Sequence, residues 1–404
     1  MKHRSISLKA FRCPETGRDI HYSIAHLRGR GGESSPSSNN DSSQINDDII
    51  ISSSAACWIF FYPAGPNRRL LEVVISRLAP EFECDRDVVF LSLNRPGKGG
   101  SSSSPRFSCK NNNNKSSDER EYIQTACRDI LTIIDYYQMP KVNLLYMCAG
   151  STFAYSFAAQ YSDRTTGYIL GLSSWILRHD GNRKDDDDDC TIDYATPSNM
   201  NSMVHSLAMR GYFGPKSIVS SLAGGIVASA PSLFNIFPQV WVVDGFKKGL
   251  SNVEKIEFEK QFPNDDGIEF VNLMTWIYED GDEGSGSVYV NIVTNENDAS
   301  RESNDHNHKC VPNTNDGNAM DIAVCLSTQH DLGMEYNSSA SKQKRVLLWH
   351  GENDKMVNVV GAEYLESMMR NATLSYVSEG THQGTMFFFP RDVMLEINQI
   401  STLN

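Results

Sequence analysis

The sequence predicts an α/β protein whose mostly parallel sheet is covered by helices on both faces. Three observations carry this. Short apolar runs alternate with segments of helical spacing from Cys57 to Leu172. The same alternation resumes from Arg345 to Ile400. Between them lies Val142 to Ala158, VNLLYMCAGSTFAYSFA, which reads as a buried strand, a tight turn at Cys148-Ala149-Gly150, and a helix with Phe153, Phe157, Ala158 and Tyr161 on one face. A nucleophile-capable side chain at such a strand–turn–helix corner is the context of a nucleophile elbow. The side chain offered here is a thiol.

In chain order, Ile6 to Phe11 and Ile20 to Ile24 predict a hairpin turning at Pro14-Glu15-Thr16-Gly17. Residues 31–54 are rich in Ser, Asn and Asp and read as an inserted loop. Cys57 to Tyr62 is the next strand, Leu70 to Leu78 a helix and Asp87 to Leu93 a strand. Residues 101–117 read as a low-complexity surface insertion. Asp118 to Gln138 has helical spacing and is stopped by Met139-Pro140. Gly167 to Leu172 is one more strand. From Ser174 to Lys344 the alternation breaks. Helices are expected there at Asn199–Arg210, Ser217–Ala230, Asn252–Gln261, Gly267–Tyr278 and Met320–Leu326, with low-complexity runs at Asp180–Asp189 and Thr294–Asn318. Strand Arg345–Trp349, helix Val359–Met369, strand Thr373–Val377 and helix Arg391–Ile400 close the chain. The domain plan is therefore a core in two parts, 1–173 and 345–404, with 174–344 as a helical cap.

Composition narrows the function classes. A net charge of −13 argues against nucleic acid, whose phosphates need a basic face. Acidic loops such as Asp185 to Asp189 account for much of it. Nine scattered cysteines with no CxxC pair predict neither a disulfide framework nor a zinc cage. The first thirty residues show no apolar core run, so no secretory signal and a cytoplasmic location are expected. Ser217 to Val243 is free of charge but holds Pro231, Pro238, Asn235 and Gln239, which suits a buried cap helix or a channel wall better than a transmembrane segment. No Gly-rich phosphate loop follows the first parallel strand, and His306 and His308 sit in a polar insertion, so no cofactor and no metal are expected. Nothing points to an oligomeric state.

Three loops at strand C-terminal ends, where chemistry gathers in parallel sheets, offer reactive groups. Cys148 follows the central strand, Asp354 the next-to-last and His382 the last. Nucleophile, acid, histidine is the chain order of the α/β-hydrolases. The chain resembles that superfamily, in its cap-bearing branch, over roughly residues 55–175 and 320–400. Asn94-Arg95-Pro96-Gly97-Lys98-Gly99-Gly100-Ser101 is similar to the DRPGYGxS loop, and Tyr62-Pro63-Ala64-Gly65-Pro66-Asn67-Arg68 to the HGxPGSR oxyanion loop. His350 to Val357 resembles HGxxDxxV, Gly380-Thr381-His382 the GxGH ending, and Asp331-Leu332-Gly333-Met334 faintly the DWGF segment. The resemblance implies an eight-stranded fold with its cap between the sixth and seventh strands.

It also implies roles. Cys148 is the nucleophile, His382 the base and Asp354 its orienting acid, with the backbone amides of Ala64 and Ala149 as the oxyanion hole. Dienelactone hydrolases, in the same superfamily, carry cysteine at the elbow. Two departures stand out: Tyr146 replaces the first glycine of GxSxG, where a bulky side chain threatens a clash, and Tyr62-Pro63 replaces the HG pair. The expected reaction is hydrolysis of an ester, thioester or similar acyl bond of a hydrophobic small-molecule substrate through a thioacyl-enzyme. Two alternatives stay open: an inactive hydrolase-like protein that binds a ligand or partner, and an acyltransferase. Ser151 is a rival nucleophile, disfavoured as a helix N-terminal serine, and His350 is expected to pack at its strand end.

Overall fold

The computed structural model describes residues 4–29, 51–52, 54–78, 86–102, 116–177, 238–263, 268–278, 314–327, 336, 343–388 and 391–403. Among these, eight strands form one sheet in the order β1-β2-β4-β3-β5-β6-β7-β8. They are β1 (Arg4–Arg12), β2 (Asp19–Leu27), β3 (Ala56–Phe61), β4 (Val88–Leu93), β5 (Val142–Met147), β6 (Thr165–Leu172), β7 (Arg345–Gly351) and β8 (Ala372–Val377). The hairpin β1–β2 is antiparallel and joins β4 antiparallel, while every later pairing is parallel. This is the α/β-hydrolase fold that the sequence implied.

Strands β3, β4 and β5 are buried along their whole length, as their continuous apolar runs require. Alternation splits each between two cores. Cys57, Ile59 and Phe61 face one layer with α2 (Ser116–Tyr136) and α3 (Gly150–Gln160), while Trp58 and Phe60 face the other with α1 (Leu70–Leu78). Between β6 and β7 the described helices are α4 (Gln239–Lys248), α5 (Asn252–Gln261), α6 (Ile268–Tyr278) and α7 (Thr314–Leu326). Phe258, Phe270 and Ile277 of α5 and α6 join the second core, and Met320 and Val324 of α7 join the first. After β7 come α8 (Val359–Met368), the six-residue α9 (His382–Phe387) and α10 (Arg391–Leu403). Trp58, fully buried in β3, donates its indole N–H to Ser401 of α10 at 3.0 Å.

Helices α5, α6 and α7 match three of the expected helices between β6 and β7. Those at 199–210 and 217–230, the run at 180–189, residues 294–313 with His306 and His308, and the segment at Asp331 lie outside the described residues, whereas residues 314–318, expected as low-complexity, are the first turn of α7. Two elements differ from expectation. Of the charge-free stretch 217–243 only 238–243 are described; they open α4, where Val243 is buried but Val240 and Trp241 are exposed, unlike the buried helix expected there. The loop after β8 coils into α9, because Thr381 caps it by accepting the Gly384 N–H at 3.1 Å. Among the described residues no helix is long and apolar enough to cross a membrane.

The bulky Tyr146 produces no clash. Its neighbour in register on β6 is Gly171, and a Cβ built there would run into the Tyr146 ring. The missing side chain on one strand makes room for the extra one on the next. The phenol is buried and shares hydrogen bonds with Ser174 Oγ at 2.8 Å and Tyr155 Oη at 3.4 Å. Gly171→Ala is therefore expected to cost about 1–3 kcal/mol of overpacking, measured by urea denaturation, and to cost far less in a Tyr146→Ala background. Equal penalties in the two backgrounds would refute the pairing.

Candidate active site

Strand β5 ends at Met147 and α3 begins at Gly150, so the chain must reverse within two residues. It does so at Cys148, held in the left-handed region at φ 47°. That conformation costs an L-residue about 1–2 kcal/mol. Three backbone hydrogen bonds enforce it: Cys148 N–H to Leu172 O at 2.9 Å, Ser151 N–H to Cys148 O at 3.1 Å, and Trp175 N–H to Cys148 O at 3.3 Å. Gly150 is required, because a Cβ there would collide with the Phe61 carbonyl of β3. The rival Ser151 is fully buried and gives its hydroxyl to the Trp175 carbonyl.

Asp354 and His382 reach the same edge from β7 and β8. The Asp354 Oδ1 accepts the N–H groups of Met356 and Val357, each at 2.9 Å, which fixes the carboxylate. Its Oδ2 lies 2.8 Å from His382 Nδ1. The Asp354 side chain is 0 % exposed and that of His382 3 %. Cys148 lies close enough to this imidazole for its charge to favour the protonated ring. Burial opposes the charged ring, yet the hydrogen bond it donates to Asp354, then the nearby Cys148, raise its pKa to about 10. Burial likewise opposes the Asp354 carboxylate, but the His382 bond and charge hold it below the usual carboxylate range.

His350, fully buried at the end of β7, is part of this set. Its Nε2 lies 3.2 Å from Val357 O and 3.7 Å from Asp354 Oδ2, and burial lowers its pKa, keeping it neutral. As a neutral donor it closes the Asp354 turn. The sequence suggested only packing there, since its partners lie within its own loop and their geometry has no motif.

Around the thiol, Cys148, Ala149, Trp175, Cys325 and Val357 form one apolar cluster, with Ala64 packed against it. Trp175 donates its indole N–H to Cys325 O at 2.8 Å. Burial, then the nearby Cys148, raise the Tyr278 hydroxyl at the end of α6 to about 12. Ala64, from the loop after β3, and Ala149, from the turn after Cys148, thus both belong to the surroundings of the thiol. Among the described residues neither backbone N–H has a protein acceptor. A cavity of about 630 Å³ opens beside His382, lined by Leu250 and Ser251 from the α4–α5 junction and by Asn353, Met356 and Gln383 from the core loops. Glu254 of α5 seals that junction. Its carboxylate accepts the Thr381 N–H at 2.7 Å, the Thr381 hydroxyl at 2.8 Å and the Ser251 N–H at 2.8 Å. Among the described residues no group of three or more His, Cys, Asp or Glu side chains converges as metal ligands would.

No family model matches the sequence, and no curated protein matches it. Solved structures do match by shape. The 2-hydroxy-6-oxo-6-phenylhexa-2,4-dienoate hydrolase of Rhodococcus sp. strain RHA1 aligns over 99 % of this chain and 100 % of its own, at 11 % identity and a TM-score of 0.52. Cfl2 from Burkholderia cenocepacia aligns over 98 % and 96 %, at 12 % identity and a TM-score of 0.51. A structure from work on carboxylesterases of the thaumarchaeon Nitrososphaera gargenis aligns over 98 % and 99 %, at 8 % identity and a TM-score of 0.50. At these identities the likeness establishes the fold.

The His382 pKa lies above its ordinary 6.5, so its contribution to stability is full below about pH 6.5 and is lost as pH rises through about 10. The difference in unfolding free energy between the parent and His382→Gln should therefore shrink from about pH 6 to about pH 10. A difference that stays constant over that range, in urea titrations, would show that the ring gains no charge-stabilising partners on folding.

Proposed function

We propose that the chain hydrolyses an ester, thioester or similar acyl bond through Cys148, His382 and Asp354. The observation that carries this reading is the buried His382 imidazole, 2.8 Å from the Asp354 carboxylate, at the sheet edge where the strained Cys148 turn presents its thiol. In this reading His382 takes the thiol proton, and the imidazolium so formed favours the thiolate. The sulfur adds to the substrate carbonyl, whose oxygen gains the negative charge. The N–H groups of Ala64 and Ala149 receive that charge, each worth on the order of 3 kcal/mol of barrier. As the tetrahedral species collapses, His382 returns the proton to the departing alcohol or thiol, leaving a thioacyl-enzyme. Water, deprotonated by His382, then releases the acid and restores the thiol. Asp354 keeps the imidazole in one tautomer and offsets its charge throughout.

The substrate in this reading is hydrophobic near its scissile bond. The apolar wall of Ala149, Trp175, Cys325 and Val357 around the sulfur supports that. A domain plan of core, cap over 174–344, and core fits α4 to α7 lying between β6 and β7. The five described cysteines are all free thiols, which goes with a reducing, cytoplasmic setting.

The test is iodoacetamide alkylation read by mass spectrometry. Cys148 should alkylate at about pH 6 far faster than Cys13, Cys57, Cys127 or Cys325. His382→Ala should slow it at least tenfold and lower turnover of a p-nitrophenyl ester about 10²–10⁴-fold. A Cys148 that is inert and indifferent to His382 would sink the triad and leave a ligand-binding protein on a hydrolase fold.

A further inference from the structure

The loop between β4 and α2 buries a lysine. Lys98 has a side-chain exposure of 0 %, and its ammonium donates to Gly65 O at 3.1 Å, Pro66 O at 3.0 Å and Asp321 Oδ2 at 2.9 Å. All three N–H bonds of the ammonium are thereby used. Two of the acceptors are carbonyls of the oxyanion loop. A third loop carbonyl, that of Tyr62, accepts from the Arg95 guanidinium, whose N–H at Nη1 lies 2.7 Å from the same Asp321 oxygen. Arg95 is stacked between the rings of Tyr62 and Phe153, 4.3 Å from each centroid, which ties the loop to α3 just beyond the elbow. Tyr122 completes the cluster by donating to Asp321 Oδ1 at 2.9 Å.

Taking two cations and a carboxylate out of water is costly, and an apolar side chain would fill the space more cheaply. What an apolar side chain cannot do is hold carbonyl oxygens. The loop's carbonyls at Tyr62, Gly65 and Pro66 are all drawn to the cations, while Ala64 between them packs against the Cys148 cluster. We infer that Lys98, anchored by Asp321, is a positioning residue that holds the Ala64 N–H toward the carbonyl oxygen of the substrate. This rests on the acyl-transfer reading for its chemistry, but its structural half stands apart from it. The device also places a surplus positive charge, two cations against one carboxylate, behind the loop where negative charge would develop.

Lys98→Met separates the two halves. Backbone hydrogen exchange over Tyr62 to Arg69 should speed at least tenfold in the variant, with β5 and α3 unchanged. Unchanged protection of that loop overturns the inference whether or not the chain is an esterase. The chemical half is read from the burst of p-nitrophenolate against iodoacetamide alkylation, which needs no oxyanion hole. The burst rate constant should fall about 10²-fold, alkylation should stay within twofold, and Lys98→Arg should recover most of the loss. A burst and an alkylation rate that fall together overturn it, because a merely structural lysine disturbs both. An inert Cys148 in the parent instead fails the acyl-transfer reading and leaves the exchange result to decide. Should Lys98→Met not fold, Asp321→Asn removes the anchor with little change of volume. It should loosen the same loop, and an unchanged loop again overturns the inference.

Discussion

The reversal of the chain at Cys148 is the constraint from which the site follows. A parallel sheet leaves its C-terminal edge open, and the turn from β5 into α3 must be made there in two residues. A left-handed backbone at Cys148 makes the turn, and the surrounding chain supplies what that conformation costs. Leu172 and Trp175 bond its backbone, and Gly150 lets α3 start against the Phe61 carbonyl. The same geometry lifts the thiol clear of its own strand. Strain at one residue is thus traded for a side chain presented at a fixed place.

The other two groups arrive through sheet order. β7 and β8 are adjacent and parallel, with Gly351 opposite Val377, so the loops that follow them open side by side. Asp354 is fixed by two amides of its own turn before it meets His382. His382 is the first residue of α9 and is set by the Thr381 cap. Each of the three chemical groups is therefore oriented by backbone that would be ordered without any of the others. Their meeting is a property of the scaffold more than of mutual attraction.

Much of this is legible in the sequence, and the reason is locality. The strand–turn–helix at Val142 to Ala158, the acid loop and the histidine loop are each encoded within about a dozen neighbouring residues, so pattern and spacing reveal them. What escapes is encoded across the chain. Tyr146 reads as a clash until Gly171 is found opposite it on the next strand. Lys98 is only one position of the DRPGYGxS-like loop in the sequence, and its partner Asp321 comes from the far side of the insertion. Glu254 looks like half of a capping box with Ser251, which it is, yet the same carboxylate also grips Thr381 beside the candidate base. Even the coiling of α9 escapes, since six residues are too few to show a period.

These long-range contacts share a direction. Glu254 and Asp321 both come from the segment between β6 and β7, and each is buried against one flank of the site: Glu254 against the loop of His382, Asp321 against the cations bonded to the carbonyls of Tyr62, Gly65 and Pro66. Both are carboxylates, and each accepts from several buried donors, two at Thr381 for Glu254 and the groups of Lys98, Arg95 and Tyr122 for Asp321. A lost partner for buried donors costs more than the bond itself contributes, so removing either carboxylate should loosen the loop it bonds. The core places the groups along the sheet edge, and the helices of the insertion add long-range hydrogen bonds that brace two of the loops.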